Sequence, residues 1–194
     1  IGNSLKDYSS EDYIIHSDND EIPNLEKFNL RKNKEKIVIF NQKLFYYKFN
    51  LILPNINWFG SKACKLKNFK NIDLLRATKN KRYPFYRLDT FFSDTKHQSV
   101  NFVLDGGWHF SNLKSVEELE RKYLNDENHS EYEAKGHSIE TIREIIKNKS
   151  IGYNHHAKKN AEDKFNSTKL QITDLENLPS YIKNNFEKYK AWFD

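Results

Sequence analysis

Residues 13–23 read Tyr13-Ile14-Ile15-His16-Ser17-Asp18-Asn19-Asp20-Glu21-Ile22-Pro23. The β-branched Ile14 and Ile15 predict a buried strand, and the acidic residues and proline that follow predict its end. We therefore expect Asp18 and Asp20 to lie at the carboxyl end of this strand, where open α/β sheets bind ligands. Two carboxylates in that position suit a hard divalent cation, Mg²⁺ or Mn²⁺, that also contacts phosphate oxygens. The alternative is an acidic turn with an Asx-type hydrogen bond, which an isolated Asp-x-Asp tripeptide favours.

The composition allows one sizeable core rather than two full domains, because the chain has 194 residues, of which 37% are hydrophobic and 14% aromatic. Its net charge of +5 favours anionic partners such as phosphates or a membrane surface, and it is too weak to predict nucleic-acid binding. The single cysteine, Cys64, excludes an internal disulfide and a cysteine-based zinc site. No apolar run has the length of a membrane span, and no signal peptide is predicted. Because the chain begins at Ile1, we expect a fragment or a processed piece.

The remaining patterns predict an α/β domain with strands first and helices between and after them. Strands are predicted at 37–40, 44–53, 58–66 and 99–104. Helices are predicted at 24–33 and 68–79, after a capping box formed by Ser115 and Glu118, after Ser138, and from Pro179 to Trp192. In the first of these, Leu25 and Phe28 are expected to face inward. The polar residues 148–170 are predicted to form a loop.

A second segment with chemical potential is Gly106-Gly107-Trp108-His109-Phe110-Ser111. Adjacent glycines permit unusual backbone conformations and close approach to a ligand, and His109 could bind a transition metal or orient a phosphate. The alternative is a packed strand with a core histidine.

Three weaker groups complete the set of candidates. His129 and Glu131 form a polar pair, and His155-His156 is interpreted as solvated surface. The lysines near Trp58 could bind an acceptor or a diphosphate, or they could form a solvated sheet face; these lysines are Lys62, Lys65 and Lys67.

Taken together, these segments resemble glycosyltransferase family 17, which includes β-1,4-mannosyl-glycoprotein 4-β-N-acetylglucosaminyltransferase. The resemblance runs from residue 11 to the C-terminus. The segments that carry it are residues 14–23, Trp58-Phe59-Gly60-Ser61-Lys62, Gly107-Trp108-His109-Phe110-Ser111, Asn128-His129-Ser130-Glu131-Tyr132 and Leu178-Pro179-Ser180-Tyr181-Ile182-Lys183-Asn184-Asn185.

The resemblance implies a single glycosyltransferase domain over residues 1–194, with a GT-A-type nucleotide-sugar fold and C-terminal helices. Because family members have a substantial region before the Asp-x-Asp strand, we expect this domain to lack its N-terminal strands. The implied reaction transfers N-acetylglucosamine from UDP-N-acetylglucosamine to a glycan or surface polysaccharide, with inversion at the anomeric carbon. The expected partners are this donor and a glycan acceptor, with no nucleic acid and at most peripheral membrane contact. We expect a cytoplasmic location.

The resemblance also implies residue roles. Asp18, Asp20 and His109 would bind Mn²⁺ or Mg²⁺ against the donor diphosphate. The donor would contact Gly106, Gly107, Trp108 and His109. The candidates for the catalytic base are Asp105 and then Glu21, with Glu131 behind them. Two alternatives stay open: a metal-dependent phosphoesterase or nuclease built on the same aspartates, and an inactive fragment or interaction domain.

Overall fold

The computed structural model describes residues 7–125, 138–151 and 169–194, and over these residues the protein is mixed α/β. Its strands are β1 (Tyr13–His16), β2 (Glu21–Pro23), β3 (Ile37–Tyr46), β4 (Leu51–Ile52), β5 (Trp58–Lys65), β6 (Val100–Val103), β7 (Gly107–Ser111) and β8 (Gln171–Ile172). Its helices are α1 (Ile72–Ala77), α2 (Val116–Asn125), α3 (Ile139–Lys147), α4 (Ser180–Asn184) and α5 (Phe186–Tyr189). Short 3₁₀ segments cover Leu30–Lys32, Leu66–Asn68, Leu88–Phe92, Leu175–Asn177 and Lys190–Trp192.

The chain forms two compact units. The first comprises Ile1–Lys43 and Asn57–His109, and the second comprises Leu44–Ile56 and Phe110–Asp194. Strands β3 and β7 run from the first unit into the second.

The first unit contains a mixed sheet with strand order β1-β5-β3-β6. Strands β1 and β3 are antiparallel to β5, whereas β3 and β6 are parallel. Strand β2 pairs antiparallel with β7, which places Glu21 opposite His109 and Pro23 opposite Gly107. The acidic segment and the glycine–histidine segment therefore lie side by side.

Successive residues of β3 pack on opposite faces of this sheet, as the two-residue period of a strand requires. Ile37 and Ile39 pack against Leu75 of α1 on one face. Val38 and Phe40 belong to a second buried cluster on the other face. Burial on both faces makes β3 the centre of the first unit.

Strand β1 differs from the prediction in its burial. Its four residues are half-buried rather than buried, because among the described strands β1 lies at the edge of the sheet and pairs with β5 alone. That neighbour is antiparallel, so the ligand rule for the carboxyl ends of parallel strands does not by itself locate a site here.

The predicted helix at 24–33 is wrong, since only Leu30–Lys32 forms a 3₁₀ turn. Asparagines explain the difference, because their side chains compete with the helix for backbone groups. The Asn29 side chain accepts hydrogen bonds from the Arg31 and Lys32 amides. Phe28 packs against Phe40 as predicted, whereas Leu25 is exposed.

Two further elements have other bounds than predicted. The helix at 68–79 shortens to α1, where the Asn71 side chain accepts a hydrogen bond from the Leu74 amide as the N-cap. The strands predicted at 37–40 and 44–53 form the continuous β3 and the short β4. The polar residues between them do not end β3, because Asn41 and Gln42 stay paired with β5 after a shift in the β3–β5 register between Ile39 and Asn41.

In the second unit, β4 pairs antiparallel with β3 and with β8, and α2 packs against α3. The predicted capping box is confirmed: the Ser115 amide donates to Glu118 and the Glu118 amide donates to Ser115. Ser138 caps α3 as predicted. The predicted final helix is interrupted at Asn185, which separates α4 from α5. None of the helices in the described ranges is long and apolar enough to span a membrane.

Candidate functional site

Asp18 and Asp20 lie in a tight turn between β1 and β2, and Glu21 closes that turn. The Glu21 amide donates to the Asp18 carbonyl at 3.1 Å, and the Asp18 amide donates to Glu21 Oε2 at 3.3 Å. The acidic segment is therefore a turn, as the alternative predicted, but the side chain that holds it belongs to Glu21 and not to an aspartate. The side chains of Asp18 and Asp20 remain 48% and 38% exposed, so they are accessible to a ligand.

Glu21 is the buried centre of a polar cluster, and only 6% of its side chain is exposed. Trp58 donates its indole N–H to Glu21 Oε1 at 2.9 Å, and the Ser61 hydroxyl donates to Oε2 at 3.4 Å. Burial raises the pKa of Glu21. The contacts with His109, Trp58 and the Asp18 amide lower that pKa by more, so it lies below the ordinary 4.5. The fold thus keeps Glu21 ionised although it is buried.

The cluster around Glu21 extends onto β3 and β5. The Ser61 hydroxyl also accepts from the Gln42 amide at 2.9 Å and from the Ser17 hydroxyl at 2.6 Å. Gly60 makes room for these groups, because a Cβ atom there would lie 2.0 Å from Gln42 Oε1 and 2.7 Å from Glu21 Oε1. The residues of this cluster are Ser17, Glu21, Gln42, Trp58, Ser61 and His109.

His109 lies between two carboxylates. Its Nε2 atom is 3.4 Å from Asp20 Oδ2, and its Nδ1 atom is 3.6 Å from Glu21 Oε1. The second distance slightly exceeds a hydrogen bond, and Nδ1 is a buried nitrogen that has no hydrogen-bond partner among the described residues. Trp58 packs edge-on against the imidazole, with ring centroids 4.4 Å apart. His109 therefore joins the exposed Asp20 to the buried Glu21.

Two cationic side chains lie near this turn. Arg76 of α1 places Nη2 3.7 Å from Asp18 Oδ2, and its side chain is exposed. Lys62 is buried, and its ammonium group donates to the carbonyls of Arg76 and Thr78 at 2.7 and 2.6 Å. These carbonyls end α1, so Lys62 caps the helix C-terminus. Burial lowers the pKa of Lys62 to about 8, although the charge of Glu21 opposes this shift.

No protein-family model, curated protein sequence or solved structure significantly matches this chain. The geometry of the site and the sequence resemblance are therefore the basis for any functional assignment.

The predicted ligands fit a divalent cation in part. Neighbouring ligands of an octahedral cation such as Mg²⁺ are about 3 Å apart, close to the 3.4 Å between Asp20 Oδ2 and His109 Nε2. Within residues 7–125, 138–151 and 169–194, no three His, Cys, Asp or Glu side chains form a group that could hold a metal. Mg²⁺ in phosphate-binding sites commonly has one or two protein carboxylates and takes its other ligands from phosphates and water. Asp20 could supply the carboxylate of a site of that shared kind, whereas the imidazole of His109 is a ligand for transition metals rather than for Mg²⁺.

The residues before His109 have structural roles of their own. A Cβ atom at Gly107, where φ is +142°, would lie 2.1 Å from the Ile22 carbonyl oxygen, so the β2–β7 pairing requires glycine there. A Cβ atom at Gly106 would lie 2.6 Å from the Val103 carbonyl oxygen. Trp108 is half-buried opposite Ile22. Close backbone packing within the chain therefore accounts for both glycines without a ligand.

Asp105, the first candidate for the catalytic base, lies in the turn before β7 with φ +48°. Its side chain is 62% exposed and forms an ion pair with Lys43 at 3.6 Å. Lys65 and Lys67 form ion pairs with Glu11.

Several predicted residues lie outside the described part of the chain, namely His129, Glu131, His155 and His156. Sequence analysis also missed the contributions of Ser17 and Gln42, which are common polar residues without a motif. The Trp58–Lys62 segment did contain a signal, because it includes Trp58, Gly60 and Ser61, which all adjoin Glu21.

Proposed function

We propose that this chain is a metal-dependent glycosyltransferase that transfers N-acetylglucosamine from UDP-N-acetylglucosamine to a glycan or surface polysaccharide, with inversion. One observation carries the proposal: Asp20, in a turn fixed by the buried Glu21, lies beside His109 of the neighbouring strand. Together with the exposed Asp18, this arrangement suits a cation bound to a diphosphate. The resemblance to glycosyltransferase family 17 supplies the reaction, the donor and the GT-A-type fold.

In this proposal Asp20, Asp18 and His109 bind the cation, and the exposed Arg76 contacts a donor phosphate. A bound divalent cation would neutralise the charge that develops on the leaving nucleotide. Glu21 holds the turn so that the aspartates keep their positions before the donor binds, which reduces the cost of ordering them.

The transfer also requires a base that takes the proton of the acceptor hydroxyl. A base must reach the acceptor, and the side chain of Asp105 is 62% exposed whereas that of Glu21 is 6% exposed. We therefore assign the base to Asp105 and the positioning of the turn to Glu21.

Calorimetry with UDP and with UDP-N-acetylglucosamine, each with and without Mn²⁺, tests the binding part of the proposal. We expect binding that depends on Mn²⁺, and we expect Asp20→Ala to weaken it by about tenfold or more. Asp174→Ala, at an exposed aspartate of the second unit, is the matched control and should bind normally. If the wild-type chain bound neither nucleotide in the presence of Mn²⁺, the proposal would be abandoned.

The assignment of the base has its own test. Asp105→Asn should leave UDP affinity unchanged and lower the turnover of UDP-N-acetylglucosamine by about a hundredfold or more. Turnover equal to that of the wild type would remove Asp105 from this role.

A further inference from the structure

The loop between α1 and β6 exposes an unusual number of large apolar side chains. Within eight residues, five such residues are each 68–92% exposed: Phe85, Tyr86, Leu88, Phe91 and Phe92. Single exposed apolar residues are common, but a contiguous group of this kind marks a surface that contacts another molecule.

Hydrogen bonds within the loop hold these side chains outward. The two sides of the loop are joined where the Lys79 amide donates to the Thr95 carbonyl at 2.8 Å and the Tyr83 amide donates to the His97 carbonyl at 3.2 Å. Inside the loop, buried Thr90 accepts from the Gln98 amide at 2.8 Å. Thr90 is therefore buried inside the loop, whereas the neighbouring rings face solvent.

The same loop is basic. Residues 79–96 contain five basic and two acidic side chains, and Lys79, Lys81 and Arg82 are exposed beside the aromatic group. Arg87 and Lys96 form ion pairs with Asp89, but exposed pairs of this type contribute little free energy and can exchange their partners. Behind the loop is a cavity of about 480 Å³, which is lined by Phe91 and Lys96 of the loop and by the lysines Lys36, Lys67 and Lys70 outside it.

We propose that residues 79–96 dock this protein onto a bilayer that contains anionic lipids. The exposed rings enter the boundary between headgroups and acyl chains, and the lysines and arginines contact the headgroup phosphates. Aromatic residues with adjacent basic residues are typical of interfacial segments, because rings prefer the headgroup level and cations are attracted to anionic leaflets. The proposal does not depend on the glycosyltransferase activity proposed above.

Flotation of the wild-type chain with vesicles provides the test, using phosphatidylcholine alone and phosphatidylcholine mixed with phosphatidylglycerol. We expect binding to the mixed vesicles, decreasing as salt is added. Phe85→Ser/Phe92→Ser should reduce vesicle affinity by about tenfold or more. The matched control is Leu104→Ser, because Leu104 is 75% exposed and lies outside the loop; it should bind like the wild type.

A second pair of variants tests the charge. Lys79→Glu/Lys81→Glu should weaken binding to the mixed vesicles by about tenfold or more. Lys32→Glu/Lys34→Glu changes the net charge equally at exposed positions outside the loop and should weaken binding much less.

Three results would overturn the proposal. The wild type could fail to bind the mixed vesicles, or each loop variant could bind as its control does. The wild type could also self-associate in sedimentation equilibrium, with Phe85→Ser/Phe92→Ser remaining monomeric and neither protein binding vesicles; the loop would then be a contact between copies of the chain. Because all the substituted residues are exposed, circular dichroism should show that every variant is folded.

Discussion

Replacing Glu21 with glutamine tests whether this residue positions the acidic turn. The substitution keeps the size of the side chain but removes its charge, and it places an amide N–H₂ group among donors. The wild-type carboxylate accepts hydrogen bonds from Trp58, Ser61 and the Asp18 amide. A hydrogen bond to a charged acceptor contributes about 1 kcal/mol more than one to a neutral acceptor. Relief of the buried charge offsets part of this loss, so we expect a decrease of about 2 kcal/mol in the free energy of unfolding.

Urea unfolding at neutral pH measures this decrease, and Asp105→Asn is the matched control. It makes the same acid-to-amide change at an exposed side chain, so its free energy of unfolding should stay within about 0.5 kcal/mol of the wild type. We also expect Glu21→Gln to weaken Mn²⁺-dependent UDP binding, because the turn that carries Asp18 and Asp20 loses its side-chain hydrogen bond.

The pH dependence of stability gives an independent check. Because the fold lowers the pKa of Glu21 below 4.5, its stabilisation is fully present above pH 4.5 and is lost as the pH falls through the folded-state pKa. Glu21→Gln should therefore lose less stability than the wild type on acidification. A variant as stable as the wild type at pH 7, with the same acid dependence and with only its turnover reduced, would refute the positioning role and indicate a catalytic base.

Three further predictions concern stability. Burial lowers the pKa of Lys62 to about 8, so the unfolded state binds the proton of this lysine more tightly than the folded state does. The unfolding free energy of the wild type should therefore rise by up to about 3 kcal/mol between pH 8 and 10.5. Lys62→Met should lack this rise in urea titrations, and a parallel rise would contradict the prediction. Gly107→Ala should cost more than about 2 kcal/mol in thermal unfolding, because its Cβ atom would collide with the Ile22 carbonyl; an unchanged midpoint would be inconsistent with the β2–β7 pairing. Ser115→Ala should cost about 1 kcal/mol by removing the cap of α2, whereas no change would show that the capping box contributes nothing.

Local chemistry determines which parts of the fold could be predicted from the sequence. The caps at Ser115 and Ser138 were predictable, because the interacting groups are three residues apart and depend little on the rest of the chain. The segment 24–33 was not, because its periodicity is helical while the Asn29 side chain and a hydrogen bond from the Asn24 amide to the Gly106 carbonyl take up its backbone groups. That second bond joins residues far apart in the chain, and a local pattern contains no information about it.

The same contrast between local contacts and contacts of residues far apart in the chain applies to the candidate site. Asp18, Asp20 and His109 could be named from residue type and spacing, and β2–β7 pairing brings Asp20 and His109 together. The contribution of Gln42 could not be predicted, because it depends on the β3–β5 register that places this amide beside Ser61. Glu21 appeared in the sequence as a candidate base, but a sequence does not show that a carboxylate is buried and already accepts several hydrogen bonds.

The different roles that we propose for Asp18, Asp20 and Glu21 follow from how deeply each side chain is buried. A carboxylate that binds a cation or a proton during turnover must exchange its partners. Within the part of the chain that the structure describes, the side chains of Asp18 and Asp20 have only ion-pair contacts longer than 3.3 Å. Glu21 cannot exchange its partners without losing the hydrogen bonds from the half-buried Trp58 indole and from the Asp18 amide that hold the turn. The same burial that makes Glu21 unsuitable as a base makes it suitable for holding the turn. In the proposed site, these two aspartates would be adaptable ligands on a turn that Glu21 holds, an arrangement that suits a cation shared with a diphosphate.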